Sequence, residues 1–226
     1  FNGSPSSPQW KLLNFVSVKY PDPLRKTIVR AGQGQSLSSS ELVELIELVT
    51  EWQANAARTC DPKGQSALVG CHGQTLWHKP PRTKQRGASL QLLNAPLLAQ
   101  LLGRPVVHNF RAADMALGGQ GAPLVPMPLA ALLGRVRGWR AFLNLGGIAN
   151  LTIVPPCIGP DKSSSLLGWD CGPANSLLDL AIDKQTKGQL SFDRNGEIAA
   201  KGEPDFHLIN NWLQEPYFLE IPPKST

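Results

Sequence analysis

The stretch PVVHNFRAADMALGGQGAPLVPMP, residues 105–128, decides the fold class of this chain. Its first six residues, 105–110, are mostly apolar and predict a buried strand that leads into a segment with one arginine, one aspartate and three glycines. Strands of α/β proteins present functional groups beyond their carboxyl ends, and glycine lets the backbone come close to a ligand. Asp114 is therefore a candidate general base in the active site of an α/β enzyme.

The residues before this stretch alternate between strand and helix patterns. The long helix is the clearest, because one of Ser38 to Ser40 can cap it and its apolar residues recur at helical spacing. The expected elements are a strand at 11–18, a short helix at 22–31, the long helix at 39–58, a buried strand at 67–71 and a helix at 90–103 that ends at Gly103. This alternation predicts a mainly parallel sheet.

A proline-rich crossing near residues 121–128 divides the chain into two expected α/β lobes, residues 1–122 and 123–226. The second lobe has a different pattern, with a hairpin signature around Gly146-Gly147. Its expected elements are a helix at 127–134, two strands within 141–154, a strand at 166–170, a tight turn at 171–173 and helices at 174–183 and 205–214.

Composition limits the class of function. Hydrophobic residues make up 42% of the 226 residues and charged residues only 17%, which is typical of a packed α/β protein rather than a disordered one. The net charge of +5 is scattered, apart from a group at Lys79, Arg82, Lys84 and Arg86. This group lies in a loop flanked by prolines and is read as a solvated loop, so we expect no nucleic-acid partner. Mild positive charge is compatible with an anionic substrate.

The cysteines and the hydropathy pattern indicate the compartment. Cys60, Cys71, Cys157 and Cys171 form no CxxC pair, so we expect no zinc site and no disulfide framework, and a cytoplasmic location. No apolar run approaches the length of a membrane span and no signal peptide is visible, so no membrane partner is expected. The chain starts with Phe1 and stops within IPPKST, which suggests a fragment of a longer protein.

Three motifs have two interpretations on their residues alone. Gly146-Gly147 is either only a tight turn or a cradle whose amides face a polyphosphate. The segment DCGPAN, residues 170–175, either presents a helix N-terminus to an anion or uses Asp170 and Asn175 as caps. His72 is either structural or catalytic. No Walker A and no GxSxG motif is present, so neither a P-loop nor a serine hydrolase is supported.

The chain resembles the anhydro-N-acetylmuramic acid kinase family from about residue 11 to its end. The resemblance rests on five stretches in the family's order: CHGQTLWHKP (71–80), NFRAADMALGGQGAPLVP (109–126), LNLGGIANLT (143–152), GWDCGPANSLLD (168–179) and PPKST (222–226). It implies an α/β fold of the sugar kinase/Hsp70/actin superfamily, a two-lobed actin-like (ribonuclease H-like) ATPase fold with mixed sheets flanked by helices around a nucleotide cleft.

The reaction that this resemblance implies uses ATP and Mg²⁺. Water opens the 1,6-anhydro ring of 1,6-anhydro-N-acetylmuramic acid while O6 is phosphorylated, giving N-acetylmuramic acid 6-phosphate and ADP in cell-wall recycling and amino-sugar catabolism. Asp114 would be the catalytic base, with Arg111 nearby favouring its ionised form. The resemblance also implies a sugar site and a nucleotide-phosphate site, at His72, Gln74, Thr75, Arg111 and Gly119 for the sugar and at Gly146, Gly147, Asn150 and Gly172 for the nucleotide. The magnesium ligands are not identified by it.

The chain departs from the family in a few places. Asn109 stands where the family usually has an acidic residue, and Ala174 replaces a common glycine. The family's N-terminal phosphate loop and its C-terminal portion are not found in these residues. A non-catalytic sugar-binding remnant and a related kinase with another amino-sugar substrate are therefore alternatives, and a homodimer is left open.

Overall fold

The computed structural model describes residues 2–4, 7–82 and 85–225, with side chains from Trp10 onward. Lys84 of the basic loop and Thr226 of the last motif lie outside these residues. The chain divides into two units, of which the first comprises Trp10–Gly121 and the second runs from Ala122 and includes the N-terminal strands β1 (Asn2–Ser4) and β2 (Ser7–Gln9).

The first unit contains helices and short strands in alternation. In chain order they are α1 (Asp22–Gly32), α2 (Ser39–Cys60), β3 (Val69–Cys71), β4 (Gln74–Lys79), β5 (Ala88–Leu92), α3 (Ala95–Leu102), β6 (Val106–His108) and α4 (Ala112–Ala116). β3 pairs with β6 in parallel, whereas β4 and β5 form an antiparallel pair that the sequence analysis did not anticipate. The observed class is mixed α/β.

Helix α2 follows directly from its sequence and confirms the prediction at 39–58. The Ser38 hydroxyl accepts a hydrogen bond from the Glu41 amide (3.3 Å), and the Glu41 carboxylate accepts one from the Ser38 amide (2.7 Å). These reciprocal bonds satisfy amides that no helical carbonyl can reach, so they fix where the helix begins. Leu45 and Val49, four residues apart, are buried on the inner face with Ile28 of α1 and Leu92 of β5.

Residues 11–18 were expected to form a strand, and this prediction is wrong. Residues 10–21 contain no helix or strand and run along α2 instead. The side-chain amide of Asn14 donates to the Cys60 carbonyl (2.7 Å), and the Trp52 indole donates to the Lys19 carbonyl (2.8 Å). The segment is therefore attached by side chains to a helix rather than by its backbone to a sheet.

The helix expected at 90–103 begins later, at Ala95. The Asn94 side chain caps it by accepting from the Leu97 amide (3.1 Å), and Gly103 ends it in the left-handed conformation at φ 62° as expected. Residues 88–92 alternate polar and apolar side chains and pair with β4 instead.

The strand expected at 105–110 is shorter and more exposed than predicted. β6 covers only Val106–His108, and Val107 is 48% exposed. The strand at 67–71 is likewise reduced to β3 and is partly exposed rather than buried. Both short strands pair only with each other among the described residues, so neither has the two neighbours that bury a central strand.

The second unit is built on a three-stranded antiparallel sheet in the order β7–β8–β9. Its elements after β1 and β2 are α5 (Pro126–Leu133), β7 (Arg140–Leu145), β8 (Ile148–Val154), β9 (Leu167–Pro173), α6 (Asn175–Gln185), α7 (Phe206–Trp212) and α8 (Pro216–Leu219), with short 3₁₀ turns at Pro160–Ser163, Arg194–Gly196 and Ala199–Lys201. The predicted hairpin within 141–154 and the helices at 127–134, 174–183 and 205–214 are confirmed to within a few residues.

The tight turn expected at 171–173 is absent because β9 continues through these residues. Asn150 of β8 pairs with Asp170, and Ala149 pairs with Gly172, so Cys171 is an extra residue in β9. Such a bulge lets one strand carry one residue more than its partner while the pairing continues.

In the described part of the chain, no helix combines the length and hydropathy that crossing a bilayer requires. The four cysteines are all free thiols.

Candidate active site

Asp114 lies in the short helix α4, four residues after the end of the expected strand. Its carboxylate Oδ2 accepts a hydrogen bond from the Gly121 amide (2.7 Å), and its side chain is exposed to solvent. One carboxylate oxygen is therefore fixed by the protein, while the group as a whole remains accessible to a reactant. A carboxylate held in this way can take a proton from a bound water or hydroxyl.

The glycines after α4 have two different physical roles. Gly118 and Gly121 have φ of +91° and +69°, in the left-handed region that favours glycine. Gly119 does not, but a Cβ at this position would overlap all three atoms of the Asp114 carboxyl group. A Cβ at Gly121 would also meet the Met115 thioether, at 2.7 Å from the sulfur. The loop therefore has glycine both for its conformation and for close packing against Asp114.

Arg111 connects this glycine loop to His72. Its Nη1 donates to the Gly121 carbonyl (2.5 Å) and its Nε donates to His72 Nε2 (3.2 Å). Because Nε2 accepts, the proton of a neutral His72 is on Nδ1, which donates to the Gly73 carbonyl (2.9 Å). The peptide groups of Gly121 are thus held on both sides, the carbonyl by Arg111 and the amide by Asp114.

The predicted sugar-site residues are brought together only in part. His72, Arg111, Gly119 and Asp114 form one connected group, as described above. Gln74 and Thr75 begin β4, and the side-chain amide Nε2 of Gln74 donates to the backbone carbonyl of Thr75 (3.3 Å). No hydrogen bond within the described residues joins either of them to Asp114. Met115, which the sequence analysis did not single out, packs against the glycine loop. The sequence feature that could have identified Met115 is its position directly after Asp114.

The predicted nucleotide-phosphate residues lie at one end of the β7–β8–β9 sheet. Gly147 is at the apex of the hairpin, since the last ladder pair joins Leu145 to Ala149 and leaves a three-residue connection. The Gly147 carbonyl accepts from the amides of Ala174 (2.9 Å) and Ser176 (3.1 Å), and the Gly146 carbonyl accepts from the Asn175 amide (3.0 Å). These carbonyls therefore point towards the start of α6.

The direction of these carbonyls sets the direction of the neighbouring amides. In a planar trans peptide the N–H of one residue points opposite to the carbonyl of the residue before it. The Leu145 carbonyl accepts from the Asn175 side chain (3.1 Å), so the amides of Gly146 and Gly147 face away from α6. Neither glycine has a φ in the left-handed region, and a Cβ on either would meet nothing closer than 3.5 Å. Neither the turn conformation nor the packing therefore requires glycine at these two positions.

Asn150 and Gly172 have different surroundings. Asn150 lies opposite Asn144 on one side and opposite Asp170 on the other, so the three side chains share one face of the sheet. Gly172 has φ +143°, and a Cβ there would lie 2.8 Å from the Phe218 ring, so backbone conformation and packing explain glycine at this position without a ligand.

Asp170 and Asn175 do not cap α6, so the capping interpretation of residues 170–175 is wrong, while the anion interpretation stays a prediction. The N-cap of α6 is Ala174 and no side chain caps it. Asp170 is 7% exposed, its amide donates to the Lys224 carbonyl (2.9 Å) and its carbonyl accepts from the Tyr217 hydroxyl (2.8 Å). Burial, with the nearby Asp170 carboxylate second, raises the pKa of Tyr217 to about 12. Lys224 lies with its Nζ 4.4 Å from the centre of the Tyr217 ring.

A preformed protein cage for a metal ion is not found among the described residues, since no three His, Cys, Asp or Glu side chains are grouped.

Comparison with known proteins identifies the family. The sequence model of the anhydro-N-acetylmuramic acid kinase family matches residues 5–226. Proteins named anhydro-N-acetylmuramic acid kinase from Prochlorococcus marinus (strain MIT 9313), Synechococcus sp. (strain CC9902) and Parasynechococcus marenigrum (strain WH8102) are 63%, 62% and 60% identical over 226 residues. Each alignment covers 100% of this chain, and the chain spans about 60% of the length of these curated relatives. The chain belongs to the anhydro-N-acetylmuramic acid kinase family.

Proposed function

We propose that the protein is an ATP-dependent kinase that opens 1,6-anhydro-N-acetylmuramic acid with water and phosphorylates O6. A water oxygen forms a bond to C1 as the C1–O6 bond breaks, and O6 takes the γ-phosphoryl group of ATP. The products are N-acetylmuramic acid 6-phosphate and ADP. The family names of the relatives support this assignment. The accessible Asp114 carboxylate, held by the Gly121 amide, supports the proposed role of Asp114 as the base.

The observation that carries the proposal is the hydrogen bond between Asp114 and the Gly121 amide. It orients an accessible carboxylate without protonating it, so the carboxylate can accept the proton of the attacking water. Arg111 holds the Gly121 carbonyl and thereby keeps the amide in place for Asp114. In our proposal, His72, Gln74, Thr75 and Gly119 belong to the sugar site together with Arg111.

The nucleotide part of the proposal assigns the phosphates to Gly146 and Gly147, with Asn150 and Gly172 near them. Support for the phosphate cradle comes from the two glycines of the turn, because neither conformation nor packing requires them. Glycine leaves the outward-facing amides uncovered, so phosphate oxygens can approach them. Gly172 has the weakest support, since Phe218 already explains it.

Magnesium belongs to the proposal as part of the nucleotide substrate. When it is bound with ATP, magnesium neutralises the charge of the phosphates. The described residues do not fit a preformed magnesium cage, so no ligand is assigned to this chain and no step above runs through the metal. The proposal also includes a two-lobed actin-like fold with a boundary at 122/123, a cytoplasmic location and a role in cell-wall recycling.

The test is release of ADP from Mg-ATP by this chain, with and without 1,6-anhydro-N-acetylmuramic acid. We expect release that depends on the anhydro sugar, with N-acetylmuramic acid 6-phosphate identified by mass spectrometry. Release with another anhydro amino sugar but not with this one would instead favour a related kinase. Sugar binding without any ADP release would contradict catalysis by this chain and favour a sugar-binding remnant.

A further inference from the structure

A cavity of about 610 Å³ lies in the first unit beside α4, between this helix and the loop that joins β4 to β5. None of the roles assigned above uses most of its wall. Its polar side chains are those of Arg82, Gln85, Arg86, Ser89, Asn109 and Arg111. We call this cavity the arginine pocket.

The charge of the arginine pocket is of one sign. Three arginines line it, of which Arg111 also donates to His72 and to the Gly121 carbonyl, and no Asp or Glu is among the described residues of its wall. Guanidinium groups bind carboxylates and phosphates through paired N–H donors, and they remain charged at every physiological pH. Gln85, Ser89 and Asn109 can also bind neutral groups, but the three arginines favour an anion as the ligand class.

The loop that carries Arg82 and Arg86 is stabilised by its own backbone hydrogen bonds. Arg82 and Gln85 exchange two backbone hydrogen bonds, of 3.1 and 2.8 Å, so the loop closes as a tight antiparallel bridge. Gly87 then packs against α4, since a Cβ there would lie 2.7 Å from the Met115 methyl group. Arg82 and Arg86 are therefore attached to a loop that rests on the helix of Asp114.

The arginine pocket and the Asp114 carboxylate are separated by a single residue of backbone. Gly118 lines the pocket, and Gly119, the next residue, lies against the Asp114 carboxyl group. Consecutive Cα atoms are about 3.8 Å apart. Asp114 itself is not among the described residues that line the pocket, so the inference requires a substituent of a sugar bound at Asp114 to pass Gly118 to enter it.

We propose that the arginine pocket binds a carboxylate carried by the sugar substrate, with Arg82 and Arg86 as the residues that select it. Muramic acid differs from glucosamine by a lactyl ether that carries one carboxylate, and this group has the charge that the pocket fits. The inference rests on the proposed function for the identity of the sugar and goes beyond it by naming the residues that distinguish the acid sugar from its neutral counterpart.

The experiment compares two sugars on two variants by isothermal titration calorimetry of the 226-residue chain. The sugars are 1,6-anhydro-N-acetylmuramic acid and 1,6-anhydro-N-acetylglucosamine, which lacks the lactyl ether. The test variant is Arg82→Gln/Arg86→Gln. The matched control is Arg25→Gln/Arg137→Gln, which removes the same charge from exposed positions outside the pocket.

We expect the unmodified chain to prefer the acid sugar by about tenfold or more, as charge-assisted hydrogen bonds give. The test variant should lose this preference and bind the neutral sugar as before, while the control keeps it. A preference that survives in the test variant, or no preference in the unmodified chain, would overturn the inference. D-lactate and inorganic phosphate, each titrated both alone and in the presence of the acid sugar, identify the chemical class of the anion: competition by lactate supports a carboxylate site, whereas competition by phosphate alone overturns it.

If the proposed function is wrong but the anion site is real, the binding results for the sugars and D-lactate differ from those above. If neither sugar binds but D-lactate binds in a manner that Arg82→Gln/Arg86→Gln abolishes, the anion site is supported and the proposed sugar is wrong. If neither the sugars nor lactate bind, both the site and the substrate assignment are overturned.

Discussion

The Cα of Gly119 lies against the carboxyl group of Asp114, so that a Cβ at residue 119 would overlap the carboxyl carbon and both oxygens. The same carboxylate accepts the Gly121 amide, two residues further along. One glycine thus makes room for the candidate base and another orients it. The position of the carboxylate is therefore set by the loop as much as by the helix that carries Asp114.

Gly119→Ala should reduce turnover strongly. The added methyl group must displace the Asp114 carboxylate, and a misplacement of about 1 Å can cost about 100-fold in rate. Measurement of kcat for sugar-dependent ADP release checks this. Gly138→Ala is the control, because no atom of the described residues lies within 4 Å of a Cβ at that glycine and its φ is not left-handed. Equal rates for both variants would show that the contact does not position the base.

The contact itself can be tested by stability, independently of activity. If the carboxyl group is what the new methyl group meets, shortening residue 114 should relieve the strain. We expect Asp114→Ala/Gly119→Ala to be more stable than the sum of the single variants predicts, with a coupling of about 0.5–3 kcal/mol in urea unfolding. Additive effects would contradict the contact.

Asp114→Asn should abolish turnover and leave sugar binding largely intact. The amide oxygen of asparagine can still accept the Gly121 N–H, so the loop is kept, but the side chain can no longer take a proton. We expect kcat to fall by at least about 100-fold. The measurement pairs kcat with the dissociation constant of the sugar from calorimetry. Near-normal turnover would refute the assigned role.

The elements that could be predicted from the sequence are those fixed by neighbouring residues. The start of α2 depends on Ser38 and Glu41, three residues apart, and Asp114 with its glycines lies within one short segment. In such cases the residues that interact are also close in the sequence. The contacts of Asp114 with its glycine loop are therefore as local as a helix cap, and the role of Asp114 as a base stays a prediction.

The features that were missed depend on residues far apart in the chain. The hydrogen bond between Arg111 and His72 joins positions 39 residues apart. Residues 88–92 form a strand because β4 pairs with them, and residues 11–18 are not a strand because α2 holds them by side chains. An apolar pattern indicates that a segment packs against another element of the fold but does not identify that element. The assignments of residues 88–92 and 11–18 were wrong for this reason.

Gly147→Ala distinguishes the phosphate cradle from a simple tight turn. Among the described residues, the added methyl group would meet only the Ser176 Cβ, at 3.7 Å, so stability should change by no more than about 0.5 kcal/mol. If phosphates approach the turn amides, the methyl group should still weaken ATP binding, by about tenfold. The measurement is the dissociation constant of ATP, with Gly138→Ala as the control. Unchanged ATP affinity would favour the turn interpretation.

Thr50→Val should destabilise the first unit. The Thr50 hydroxyl is buried, donates to the Ile46 carbonyl (2.7 Å) and accepts from the Asn94 amide (2.8 Å). Valine keeps the shape but leaves the Asn94 amide without this acceptor, which costs about 1–3 kcal/mol. Urea unfolding measures the loss. Thr59→Val is the matched control, since its hydroxyl also donates within α2, to Asn55, but is exposed. A similar small effect for both variants would contradict the role of Thr50.

Tyr217 should make the second unit sensitive to alkaline pH. Burial and the neighbouring Asp170 carboxylate raise its pKa to about 12, above the value of about 10 in an unfolded chain. The stabilisation from the neutral phenol is therefore complete below pH 10 and is lost as the pH rises through about 12. Burial also raises the pKa of Tyr20, so the comparison is made in a Tyr20→Phe background, where Tyr217→Phe should remove this part of the pH dependence of unfolding.

Absorbance titration of the phenolates provides the direct measurement for Tyr217. The chain has only two tyrosines, so Tyr20→Phe isolates the signal of Tyr217. We expect that signal to titrate near pH 12 in the folded protein and near 10 in urea. Titration near 10 under both conditions would mean that the hydroxyl does not donate to the Asp170 carbonyl in a buried site, and the docking of residues 217–225 against β9 would need revision.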